Sequence, residues 1–153
     1  MKQKYIPYQK ALNKAMYLCS KSEKCKSDIR KKLYDWKTKP EEHNKIIDEL
    51  EKQEFINEER YANFYVRDKF KFNKWGKLKI KAMLFQKQIP EKIIEEALSK
   101  IKHEDYIEML KNVIFQKKES IKEKESNAMN NKLLRFASGK GFEPHFILQI
   151  LEN

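Results

Sequence analysis

The sequence predicts an all-α protein built from three tandem three-helix repeats stacked on one another. Three observations lead there. With only three Gly and four Pro among 153 residues and 37% of the chain charged, the composition suits long helices and lacks the turns a sheet protein needs. Apolar residues recur at the helical period, as at Tyr61, Ala62, Tyr65 and Val66, so one side of each helix is built to be buried. Sliding the chain on itself by 53 residues lays Ile80 on Leu133, Met83 on Phe136, Ile89 on Phe142, Ile93 on Phe146, Ile94 on Ile147, Ala97 on Ile150 and Leu98 on Leu151, and every pair is apolar. An offset of 51 lays Ile29 on Ile80 and Leu33 on Leu84, with a few extra residues needed before Ile46 meets Ile94 and Leu50 meets Leu98. The expected units are residues 1–54 with an N-terminal lead-in, 55–103, and 104–153, neighbours sharing apolar surface.

Within the first unit, Tyr5 to Tyr8 around Pro7 reads as an extended lead-in, followed by a helical stripe of Ala11, Leu12, Ala15, Met16, Leu18 and Cys19. Ser20 with Glu23 suggests a capping box that opens a second helix near Ser22 to Lys24, with Ile29 and Leu33 as its core pair and Trp36 closing it. Thr38 with Glu41, and Pro40 in the first turn, open a third helix whose inner face is Ile46, Ile47 and Leu50. In the second unit Asn57 caps an aromatic helix ending around Asn73 to Gly76. The next helix uses Leu78, Ile80, Met83 and Leu84, and Pro90 starts one with Ile93, Ile94, Ala97 and Leu98. The third round is expected from Tyr106 through Ile107, Leu110, Val113 and Ile114. The polar tract 116–131 reads as a solvated helix extension or a loose linker, of which the mobile link is favoured, and Met129, Leu133 and Phe136 form a helix ended by Gly139 or Gly141 in a left-handed cap. Gly76 is assigned to a turn needing positive φ; Trp75 either stacks on a base or partner ring or, the favoured reading, packs the aromatic helix against the next.

The formal charge of +11 is unevenly placed: residues 1–39 carry +9, 40–60 carry −5, 61–87 carry +7, and the remainder balances to zero. Such clustering points to a polyanionic partner, nucleic acid or acidic protein. Cys19 and Cys25 match neither metal nor redox spacing and are expected as reduced thiols in or near the core. His43, His103 and His145 are far apart and read as surface residues; the carboxylates between Glu41 and Glu59 read as a solvated face. No phosphate-binding loop, nucleophile elbow or dinucleotide motif is present, so an enzyme is not expected, nor a cofactor. No apolar run approaches the ~20 residues that span a bilayer, and Met1 to Leu12 has no signal-peptide core, so no membrane partner and a cytoplasmic location are expected.

The stretch from Phe55 to Pro90 resembles the signature of the RecX family, regulatory proteins that bind the filament of the RecA recombinase. Phe55, Ile56, Glu58, Arg60, Tyr61, Ala62, Gly76, Ile80, Leu84 and Ile89 carry the likeness. A second match runs from Lys132 to Ile147, with Lys140, Gly141 and Phe142 at the family's Arg-Gly-Phe turn, and a weaker one from Ala11 to Leu33. Two departures stand out. Glu58 replaces the more usual Asp, and Ser138, Gly139 and Lys140 stand where an Arg is usual, keeping charge at Lys140 but removing a bidentate donor. The resemblance implies three repeats in a curved, elongated body. It also implies a monomer that docks along the groove of the RecA and single-stranded DNA filament, blocking subunit addition, strand exchange and co-protease access.

The candidate partner-binding and nucleic-acid-binding residues are Arg60, Arg67, Lys69, Lys71, Lys74, Lys77, Lys79, Lys81, Arg135 and Lys140. Repeated cations along a concave stack can follow a phosphate backbone without reading bases. Lys77, Lys79 and Lys81 alternate with Leu78 and Ile80, so on a helix they fan over more than one face. Two other classes stay open: a stand-alone basic helical DNA-binding protein, and a helical scaffold with no nucleic-acid partner.

Overall fold

Each apolar stripe of the sequence becomes one side of a short helix, and left-handed residues turn the chain back on its own core at the helix ends. The computed structural model describes residues 4–122 and 125–153, and among them the chain forms helices and no strand. The helices are α1 (Tyr8–Lys21), α2 (Lys26–Asp35), α3 (Pro40–Lys52), α4 (Glu58–Lys71), α5 (Lys77–Gln86), α6 (Glu91–Ser99), α7 (His103–Ser120), α8 (Ser126–Gly139) and α9 (Pro144–Glu152). Close helix packing runs within the triplets α1–α3, α4–α6 and α7–α9. The first triplet buries Ala11, Ile29, Leu33, Ile46 and Leu50; the second Ala62, Val66, Ile80, Leu84 and Ile94; the third Tyr106, Leu110, Leu133, Phe142 and Ile147. The accessible surface is 10382 Å² for 18.6 kDa. A globular monomer of that mass exposes about 8,200 Å², and the excess belongs to a helical repeat body with three small cores.

The turn between second and third helix is the same in all three triplets. Lys37, Gln88 and Gly141 have φ of 59°, 63° and 101°. The residue after each is buried, and its N–H reaches back to a carbonyl of the second helix: Thr38 to Leu33 at 2.9 Å, Ile89 to Leu84 at 3.2 Å, Phe142 to Ala137 at 3.2 Å. The left-handed residue itself bonds to Tyr34, Phe85 or Ser138 at 3.0, 2.9 and 3.0 Å. This pairing satisfies the last carbonyls of a helix and plugs its end with the next side chain.

Neighbouring triplets meet where the second helix of one begins. At the first junction Cys25, the N-cap of α2, is buried in the second core, and the Lys26 N–H bonds to Glu58 Oε2 at 3.1 Å. Lys87 Nζ reaches Asp28 Oδ1 at 2.8 Å, and Arg60 Nε reaches Glu23 Oε2 at 2.6 Å. At the second junction the first N–H groups of α5 find partners in the third triplet. Gly76 N–H donates to the Lys140 carbonyl at 2.8 Å, Leu78 N–H to the Gly141 carbonyl at 3.0 Å, and Lys77 N–H to the Tyr106 hydroxyl at 2.9 Å. The Tyr106 hydroxyl in turn donates to Glu143. Phe70 and Ile101 pack on both the second and third cores, and the Phe70 and Tyr106 rings stack 5.9 Å apart.

Several local expectations shift. Ser20 does not open α2: α1 runs on to Lys21, Ser20 Oγ donates to the Tyr17 carbonyl, and the Asp28 carboxylate accepts from the Cys25 N–H at 3.3 Å instead. Lys39, not Thr38, is the N-cap of α3, and Thr38 is buried as the plug of the preceding turn. The aromatic helix stops at Lys71, and the third triplet starts at His103, one turn before Tyr106. The expected mobile link is largely helical, because α7 continues through Ser120 and Glu125 caps α8, accepting from the Ala128 N–H at 3.2 Å; residues 123–124 lie outside the described residues. Gly76 is at φ −79°, so positive φ is not its reason; an added Cβ would lie 2.4 Å from the backbone of Gly141 and Phe142. Close approach of two backbones demands the glycine.

Candidate functional site

The turn from α4 into α5 lies against the turn from α8 into α9, and that juxtaposition gathers lysines from two distant parts of the chain. Lys74, itself at φ 57°, points its amine to Gln116 Oε1 at 2.9 Å, and Lys140 Nζ donates to the Asn73 carbonyl at 2.8 Å. Lys79 stands behind Gly141, where a Cβ on that glycine would come within 2.4 Å of the Lys79 Cβ. Burial, then the Lys79 and Lys74 ammonium groups, hold the Lys140 amine below its usual value. Among the described residues none of these three lysines forms an ion pair. Their mutual repulsion is therefore left for an incoming anion to relieve.

Trp75 sits at the edge of this cluster. It packs on the second core, and the Lys69 and Lys79 amines lie 5.2 and 4.5 Å from its ring centroid, so the ring both seals the core and holds two cations in place. Lys77 turns the other way, over the Tyr106 ring at 5.0 Å, and Lys81 pairs with Glu95 at 2.5 Å and Glu91 at 3.8 Å. The three alternating lysines of α5 thus point three ways. Lys71 lies 5.8 Å from the exposed Phe72 ring.

Arg60 is engaged elsewhere. Its guanidinium joins Glu23 at 2.6 Å, Glu54 at 3.8 Å and the Glu54 carbonyl at 3.0 Å, bracing the first junction. Arg67, exposed on α4, borders a separate groove with Lys100 and Lys102. Arg135, exposed on α8, lines a trough of about 550 Å³ with Lys117, Lys122 and Lys132. Lys117, Ser120 and Phe136 continue that trough toward Lys74 and Lys140, and no carboxylate lines either part among the described residues.

Sequence reasoning missed Lys117, Lys122 and Lys132 because the net charge beyond residue 87 is zero. Glu104 and Asp105 open α7 and Glu108 follows, whereas Lys117 and Lys118 stand in its last turn with Glu119 alone against them. Charge counted turn by turn would have exposed the basic end. Among the described residues no group of three or more His, Cys, Asp or Glu could hold a metal ion, and no helix is long and apolar enough to cross a membrane.

Comparison with known proteins follows this architecture. The family model for the RecX second three-helix domain matches residues 57–98. The regulatory protein RecX of Clostridium acetobutylicum is 32% identical over 150 residues, covering 95% of this chain and 69% of that protein. That of Clostridium perfringens strain 13 is 29% identical over 136 residues, covering 88% of this chain and 63% of its relative. The chain therefore spans about two thirds of the length of these curated relatives. A crystal structure of regulatory protein RecX superposes with a TM-score of 0.89 at 26% identity, covering 95% of this chain and 73% of the other. RecX from Lactobacillus salivarius, 23% identical, shares the fold with a TM-score of 0.84 over 95% of this chain and 94% of its own. With its three helix triplets and sequence identity spread over nearly its whole length, the chain belongs to the RecX family of regulatory proteins.

Proposed function

We propose that the chain binds the filament that RecA forms on single-stranded DNA and restrains it, inhibiting its recombinase, ATPase and co-protease activities. The observation that carries this reading is the cluster of Lys74, Lys79 and Lys140, three ammonium groups gathered without a carboxylate among the described residues. Such a cluster gains free energy when phosphate or an acidic protein surface displaces its counterions. Arg67, Lys69, Lys71, Lys77 and Arg135 extend the contact surface to either side. Arg60 and Lys81, already paired with carboxylates, contribute through the summed field more than through direct contact. On this reading residues 1–54, 55–103 and 104–153 act as three units of a cytoplasmic monomer that catalyses nothing itself. Binding along the filament is the mechanism.

The test adds purified protein to RecA filaments on single-stranded DNA across stoichiometric ratios while ATPase rate and disassembly are followed. Inhibition should rise with dose. Replacing Lys74, Lys79 and Lys140 together by Gln should weaken it and flatten the log–log salt dependence by about 2, since each single-strand phosphate contact contributes about 0.7. A wild-type chain that leaves the filament's ATPase and disassembly unchanged at every ratio defeats the proposal. Sequence-preferring binding to duplex DNA without RecA would favour the stand-alone DNA-binding reading, and loss of all binding at ~50 mM salt the scaffold.

A further inference from the structure

A second groove lies away from the lysine cluster, over the seam between the second and third cores. It encloses about 380 Å³, and its floor is apolar: Val66 and Ala97 are buried, and Phe70 and Ile101 are the two side chains that pack on both cores. Arg67, Lys100 and Lys102 stand exposed around it, with Asp105 as the carboxylate on the rim. Among the described residues none of those three cations forms an ion pair. The groove thus combines an apolar slot with three uncommitted cations from two elements, α4 and the α6–α7 connection.

We infer that this groove docks an acidic peptide segment of a protein partner through a bulky apolar anchor. A nucleic-acid strand fits less well. Its bases need a flat aromatic face, whereas the floor is mostly aliphatic and Phe70, its aromatic member, is stacked against Tyr106 at 5.9 Å. Asp105 on the rim would also repel a continuous phosphate backbone, while an extended peptide presents N–H groups that a carboxylate can accept. An apolar side chain in the slot supplies affinity, and flanking carboxylates against Arg67, Lys100 and Lys102 supply orientation and on-rate. The groove shares Arg67 with the surface assigned to the filament, but its apolar floor, Lys100 and Lys102 lie outside that surface, so the lysine cluster and the groove can be tested separately.

The probe is a fluorescein-labelled octapeptide with a central Leu-Phe pair between acidic residues, compared by anisotropy with one of equal charge carrying Ser-Ser. At ~150 mM salt the Leu-Phe peptide should bind at least about tenfold more tightly, the modest share of two anchors' burial that survives binding. Arg67→Glu, at an exposed position, should weaken it at least about tenfold with the melting temperature unchanged. Asn63→Trp, on the groove wall, should block binding while every charge remains. Gln at Lys74 and Lys140 should leave peptide binding as it is. Equal affinity for the two peptides overturns the inference, as does full binding by Asn63→Trp. An oligothymidylate that displaces the peptide and loses affinity with Arg67→Glu would give the groove to nucleic acid instead.

Discussion

Replacing Gly76 by Ala sets two physical effects against each other, and the structure decides between them. At φ −79° and ψ 169° alanine is conformationally allowed, so the unfolded chain alone would make the variant more stable, by about 0.4–1 kcal/mol. The added Cβ, however, would sit 2.4 Å from the Gly141 carbonyl carbon and oxygen and from Phe142 N, all backbone atoms of a turn plugged into the third core. The start of α5 must move away, and that breaks the bonds of Gly76, Lys77 and Leu78 N–H to Lys140, Tyr106 and Gly141. At about 1 kcal/mol net for each bond, less the entropic gain, Gly76→Ala should destabilise by about 2 kcal/mol, a fall of about 4–8 °C in melting temperature. Urea unfolding with native-state hydrogen exchange reads this out, and exchange should quicken first at the amides of residues 76–78. Gly139→Ala is the control: a methyl group on this last residue of α8 would meet nothing within 4 Å, so the same change should stabilise by up to about 1 kcal/mol. If Gly76→Ala proved as stable as the parent, the close backbone approach would not be holding the junction.

Thr38→Val should raise stability by about 1 kcal/mol in thermal melts, because Thr38 is buried and its hydroxyl has no partner among the described residues, where the other triplets place Ile89 and Phe142; a lower melting temperature would refute this. Burial pushes the Asp28 carboxyl up, but Lys87 and the Cys25 N–H outweigh it and hold it below its ordinary 3.8. Burial lowers Lys87, yet Asp28 holds that amine above 10.5. The contribution of Asp28 is therefore complete above its unfolded value and lost as pH falls through the depressed one. That of Lys87 is complete below 10.5 and lost as pH rises through the elevated one. A double-mutant cycle of Asp28→Asn and Lys87→Met should show about 0.5–1.5 kcal/mol of coupling at neutral pH and none in strong acid; a coupling independent of pH would contradict the pair. Burial pushes the Cys19 thiol up to about 11 and raises Cys25 as well. At pH ~8 alkylation of Cys19 should run about 100-fold slower than that of an exposed thiol and recover in denaturant, and a free-thiol rate in the native protein would sink the assignment.

The periodic parts of the fold are legible because they are local. Ile80 and Leu133, Ile89 and Phe142, Ile94 and Ile147 pair by offset alone, and each residue is buried in its own core. Asn57 is readable as a cap, and its side chain accepts from the Arg60 N–H at 3.0 Å. Whatever depends on a neighbour far along the chain is not readable. Gly76 answers to Gly141, Thr38 fills a slot that only the folded turn defines, and Arg60 is held across the first junction by Glu23. The lysine cluster is half legible: Lys74, Lys79 and Lys140 stand out from the charge pattern and the turn motif, but only tertiary contact puts the last beside the other two.

The turn that ends α8 also begins α5, since Lys140 and Gly141 offer their carbonyls to the helix across the seam. Pitch between the second and third triplets is thus fixed by a peptide-to-peptide clasp a few atoms wide. An insertion between Ser138 and Phe142 would tilt the whole C-terminal third of the molecule. One between α7 and α8 would fall outside this clasp and leave the pitch between the two triplets as it was.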